Sequence, residues 1–165
     1  MKKIAFIFFI STLVYACIPT GTNPIKRYPT YRGLYVNKFD TIFGDTSKEN
    51  TLLRWANKHR FNALTLYGLG NILPKTSNYS TLAAFILRAK TIYGLKEVNA
   101  TRGKSSDFTT YVHNYNNSRT DTLERFNWAN LEREFWNGDQ SFTYSFTQLQ
   151  NMKNWGITQT PIVKT

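Results

Sequence analysis

The chain holds one cysteine, Cys17, among 165 residues, so no intrachain disulfide can staple the fold and the core must hold it. Histidine is almost as scarce. His59 and His113 stand alone, without the neighbouring ligands a metal site needs, and both read as helix-surface residues, so no metal is expected. Acid is short as well: 10 Asp and Glu stand against 21 Lys and Arg, a net charge of +11. That balance favours anionic neighbours. The basic residues are scattered in small groups, Lys26/Arg27, Lys58/His59/Arg60, Arg88/Lys90 and Arg102/Lys104, and read as solvated faces. No basic run is interleaved with aromatics, so no nucleic-acid partner is expected. The stretch Lys38 to Asp45, KFDTIFGD, is not glycine-rich, which argues against a phosphate loop, and no cofactor is expected. Long apolar runs are missing too, since Ile4 to Val14 is too short to span a bilayer.

What the first residues do carry is an export signal over 1–16: Lys2 and Lys3, then the apolar run, then Tyr15-Ala16-Cys17. Val14-Tyr15-Ala16-Cys17 resembles a bacterial lipobox, with Tyr15 bulkier than usual. The resemblance implies that Cys17 is lipidated, becomes the mature N-terminus and anchors the protein to a membrane of the cell envelope. Ordinary cleavage nearby, leaving a lone thiol, is the alternative. Loss of residues 1–16 removes Lys2 and Lys3 and no acid, leaving +9. Residues 17–31 are a Pro/Thr/Tyr-rich tether, and 32–165 form the folded domain.

Within that domain strands alternate with helices. Gly33–Asn37, Phe61–Tyr67 and Leu95–Ala100 read as strands, the last of them weak. Thr46 with Glu49 reads as a capping box for a first helix ending near His59. Ser80 opens a second helix stopped by Gly94, and a third starts near Ser106-Asp107 and fails in the Asn114–Asp121 loop. A fourth helix covers 141–154. Strand starts near 33, 62, 96, 127 and 157 give the spacing of βα units, hence a parallel sheet buried on both faces. A closed (β/α)8 barrel needs ~250 residues. The fold class expected is therefore α/β, a partial TIM-type barrel of about four βα units plus the start of a fifth strand.

The fourth strand carries the chemistry. Phe126 to Gly138 reads FNWANLEREFWNG, and period-2 alternation puts Asn130, Glu132 and Glu134 on one side and Leu131, Arg133 and Phe135 on the other. Glutamates form strands poorly and are costly to bury, so two at i and i+2 among aromatics suit an acid/base pair with pKa values pushed apart. An exposed edge strand, or an amphipathic helix with Glu132 and Arg133 in water, is the plainer reading. Phe126-Asn127-Trp128-Ala129-Asn130-Leu131-Glu132-Arg133-Glu134 resembles the fourth-strand motif of glycoside hydrolase family 18, Asp-x-x-Asp-x-Asp-x-Glu. Asn127 and Asn130 replace its first two aspartates, Glu132 its third, and Glu134 falls on its catalytic glutamate. The family's third-strand Ser-x-Gly-Gly has no counterpart at Asn99 to Gly103.

The resemblance implies a sugar-binding barrel in which Glu134 is the general acid and Glu132 orients the substrate's N-acetyl group. Asn130, Trp136, Asn137, Asn37 and Tyr67, at or near the carboxyl ends of strands, are the expected glycan-binding residues, with Tyr35 and Trp128 further aromatic candidates. The expected protein is an exported lipoprotein, truncated relative to a whole barrel and inactive alone, with a glycan as possible ligand. Unpaired sheet edges make self-association a further expectation. A glycan- or protein-binding surface lipoprotein without activity, and a complete small open-sheet α/β domain, are the alternatives.

Overall fold

The computed structural model describes residues 31–132, 147–152 and 154. The chain divides into two units, Met1–Thr30 and Tyr31–Thr165, and every described residue belongs to the second. It is an α/β unit. Strands β1 (Gly33–Val36), β2 (Ala63–Leu66), β3 (Glu97–Arg102) and β4 (Ala129–Leu131) form one parallel sheet in the order β1-β2-β3-β4. Between them run α1 (Thr46–Lys58), α2 (Tyr79–Thr91), and a composite segment of α3 (Ser105–Asp107), a π-helical stretch at Phe108–Val112 and α4 (His113–Asn117). Residues 147–152 are helical too. The strand order never reverses, so the described sheet lacks the switch point that a doubly wound domain uses as its crevice.

Parallel crossovers are right-handed, so an order that always advances in one direction places its helices on one face. The core lies there. Val36, Leu64, Leu66, Val98, Ala100 and Ala129 of the strands meet Leu53, Ala56, Leu82, Phe85, Ile86, Phe108 and Tyr115. Helix–sheet packing covers one face among the described residues, while Ala63, Asn99 and Thr101 of the other face are buried as well. Asn116 locks the start of β4 into this layer. Its amide donates to the Phe126 carbonyl at 3.1 Å and its oxygen accepts from the Phe126 N–H at 2.9 Å.

Several local expectations shift. The first helix is capped by Asp45 and not by Thr46: the Asp45 carboxylate accepts from the Ser47 and Lys48 N–H groups, which hold it below the usual carboxylate range. Glu49 instead is buried; it accepts the Gly44 N–H at 2.8 Å and pairs with Arg88 of α2. A helix-surface reading of Arg88 therefore fails. Lys90 is partly buried as well and donates to the Arg125 carbonyl at 2.6 Å. The second helix starts at Tyr79, one residue before Ser80, and the Asn78 side chain turns away from it to the Ile72 carbonyl. Gly94 does close that helix, at φ +69°, with the Leu95 N–H donating to the Ala89 carbonyl. Leu95 is thus spent on the helix end, and β3 begins two residues later than Leu95 and runs on to Arg102.

Candidate functional site

The face of the sheet opposite the helices is polar. Register pairs Tyr35 with Thr65 and Thr65 with Asn99, while Thr101 stands beside Asn130 one step on. Glu97, Asn99 and Thr101 occupy alternate positions of β3 and share this face. Asn99 and Thr101 are buried, and the Glu97 Oε2, Asn99 Oδ1 and Thr101 Oγ1 atoms have no hydrogen-bond partner among the described residues. Such orphaned acceptors are costly to leave unmade. Tyr31 lies against Gly33 and takes a long 3.4 Å hydrogen bond from the Asn99 amide. Burial and the nearby Glu97 charge push its phenol up.

Above β3 the same face becomes aromatic and acidic. Tyr35 and Tyr67 stack with ring centroids 6.1 Å apart, and the Tyr35 hydroxyl donates to Glu132 Oε2 at 2.9 Å. The Glu132 N–H continues the ladder by donating to the Arg102 carbonyl at 3.0 Å. Alternation along β4 places Asn130 and Glu132 on this side and Leu131 against the core.

Beyond the carboxyl ends of β1, β2 and β3 opens a cleft of about 380 Å³, lined by Asp40, Tyr67, Gly68, Asn71, Arg102 and Asp107 among others. Two glycines make room for it. Gly68 sits at φ +92°, and a Cβ there would stand 2.7 Å from Asp40 Oδ1; at Gly70 it would stand 2.6 Å from Arg102 Nη1. The Asn71 amide donates to Asp40 Oδ2 at 3.1 Å. Arg102 forks onto Asp107, with Nε 3.1 Å and Nη2 3.0 Å from Oδ2. Loops after β1 and β2 are tied by the Phe39 N–H donating to the Tyr67 carbonyl at 2.9 Å.

Of the residues expected from sequence, Tyr67 lines this cleft and Glu132 borders it, its carbonyl lying 3.9 Å from where a Cβ of cleft-lining Gly103 would stand. Asn130 and Asn37 are exposed at the strand ends without lining the cleft. Glu134, Trp136, Asn137 and Cys17 lie outside the described residues. Sequence reasoning missed Asp40, Asn71 and Asp107, and read Arg102 as a solvated charge. The signal available was position: Arg102 ends β3, and Asp40, Asn71 and Asp107 lie in the segments that follow β1, β2 and β3, where open and closed α/β sheets place their ligands.

The fold and site together define an α/β domain with an un-reversed parallel sheet, one packed face, and a polar, aromatic-edged cleft at the strand ends. No family model, curated protein or solved structure matches this chain.

Proposed function

We propose that the polar sheet face and the adjoining cleft bind a carbohydrate, and that the chain is an exported, lipid-anchored relative of the family 18 barrels. The observation that carries this reading is the Tyr35 hydroxyl holding Glu132 at 2.9 Å beside exposed Tyr67. A carboxylate fixed next to an exposed ring is what a sugar needs, because its hydroxyls donate to the acid while its apolar face covers the ring. An un-reversed strand order supports a barrel-type sheet, and helices on one face support it too. In this reading Glu134 is the general acid, by its place in the motif, and Glu132 orients the N-acetyl group with Tyr35 as its positioning residue. Asn130, Trp136, Asn137 and Asn37 extend the glycan contact along the strand ends.

Titration calorimetry of the full chain with N-acetylglucosamine oligomers, and with glucose oligomers for comparison, tests the proposal. Binding should favour the N-acetylated series, and Tyr67→Ala or Glu132→Gln should each weaken it about tenfold. No binding of either series, or binding that both substitutions leave intact, would remove the reading. A chromogenic N-acetylglucosamine oligomer reports on turnover. Any hydrolysis that survives Glu134→Gln would refute the assignment of the acid.

A further inference from the structure

Opposite the cleft, at the amino ends of the strands, the surface has another character. Four large apolar side chains stand exposed there: Tyr31 before β1, Trp55 near the end of α1, Ile92 closing α2 and Leu123 before β4, at 45–70 % exposure. Single exposed apolar residues are ordinary, but a group gathered at one end of a sheet is not. Trp55 forms part of a ring ladder. Its indole lies 4.4 Å from the His59 ring and 5.6 Å from Phe61, and the Arg32 guanidinium lies 5.4 Å over Phe61. Arg60 is held at φ 60° between the two rings' residues, a left-handed conformation rare outside glycine. The rim is continuous. Asn57 of α1 donates to the Tyr93 carbonyl at 2.7 Å, and Asn62 accepts the Arg32 N–H at 2.9 Å while its carbonyl accepts the Lys96 N–H at 2.8 Å.

Charge completes the description. Residues 31–32, 58–62 and 92–97 contribute Arg32, Lys58, Arg60 and Lys96 against one acid, Glu97, which lies beside Tyr31 on the polar sheet face. The segment 118–127 before β4 is balanced, with Arg119 paired to Glu124. A tryptophan among exposed apolar side chains, bordered by Arg32, Lys58, Arg60 and Lys96, matches the headgroup layer of a bilayer. Indole and phenol rings prefer that depth, and each basic residue gains from anionic lipid.

We propose that this amino-end rim lies against an anionic membrane surface and turns the cleft outward. The proposed lipid anchor supplies only the means of reaching a bilayer. Trp55, Ile92 and Leu123 sit among the headgroups, while Arg32, Lys58, Arg60 and Lys96 meet lipid phosphate. The glycan site then faces away from the cell's own membrane.

The test uses the full chain carrying Cys17→Ser, with a nitroxide placed at Ile92→Cys or, on the cleft side, at Lys75→Cys. Vesicles are phosphatidylcholine with about a third phosphatidylglycerol, so that basic residues have anionic lipid to meet. On these vesicles a label at position 92 should be shielded several-fold more from an aqueous nickel relaxant than one at 75. Lys58→Glu with Arg60→Glu should return it to the aqueous value and lower the bound fraction about tenfold or more. Equal accessibility at 92 and 75 overturns the proposal, as does shielding unchanged by the charge reversals. Absence of vesicle binding overturns it too. Dipolar broadening between labels at 92 would show a second copy seated on the rim, and would also overturn it.

Discussion

The two faces of the four-stranded sheet come from the same 17 strand residues and obey opposite rules. On the helix side, rows run across the sheet as Leu34, Leu64 and Val98, then Val36, Leu66, Ala100 and Ala129, and most of these are fully buried. On the other side the corresponding rows are Tyr35, Thr65 and Asn99, then Thr101 with Asn130. Period-2 alternation sorts the residues, and the sorting separates two jobs. Burial against helices stabilises the domain. The opposite face holds buried acceptors without a partner among the described residues, which costs stability, while its exposed Tyr35 and Tyr67 rings are left for recognition. Stability and recognition can thus be disturbed independently.

The largest expected effect tests the packed face. Leu66→Ala removes a fully buried side chain in the middle of the helix-facing row and should cost about 2–5 kcal/mol in urea unfolding, with glycan affinity of the folded fraction unchanged. A cost below about 1 kcal/mol would mean that this row is not the core. A smaller effect, of opposite sign, is expected across the sheet. Thr101→Val keeps the shape and deletes a hydroxyl without a partner among the described residues, so it should stabilise the chain by about 1–2 kcal/mol and leave glycan binding unchanged. Destabilisation there would show that the hydroxyl is satisfied after all.

Much of this division was legible in the sequence, and the illegible parts share a cause. The βα rhythm, the alternation of Asn130, Leu131 and Glu132, and the place of Tyr67 all follow from local period and spacing. β3 was misplaced by two residues because Glu97, Asn99 and Thr101 give its open face the look of a loop, whereas Leu95 belongs to the end of α2. The capping box misled for a related reason. Glu49 has the right spacing from Thr46, but its carboxylate is claimed by Arg88, 39 residues away. The cleft residues Asp40 and Asn71 are 31 apart and meet only because β1 and β2 are neighbours. Pairings of this kind depend on tertiary neighbours and leave no periodic trace.

Lys90 carries the smallest effect, at a place where the packed layer takes in a charge with no ion-pair partner of the Glu49–Arg88 kind among the described residues. Burial lowers its pKa from 10.5 to about 8, against the opposing pull of Asp121 and Glu97. Below about pH 8 both folded and unfolded chains hold the Lys90 proton, so this residue adds no slope, and the burial cost is present in full. Between about 8 and 10.5 the unfolded chain holds a proton that the folded one has released, so stability should rise with pH. Solvent still reaches the side chain in part, so the gain should be about 1 kcal/mol across that window. The phenols of Tyr31 and Tyr79 act the other way: both are pushed up by burial, and unfolding releases their protons first, so they lower stability above about pH 10. Urea midpoints for the parent chain and Lys90→Met, measured from pH 7 to 10, separate the two. The parent should gain on its variant as pH passes 8. Parallel curves would place the Lys90 ammonium in water, and with it would fall the claim that the helix side of the sheet is the dry one.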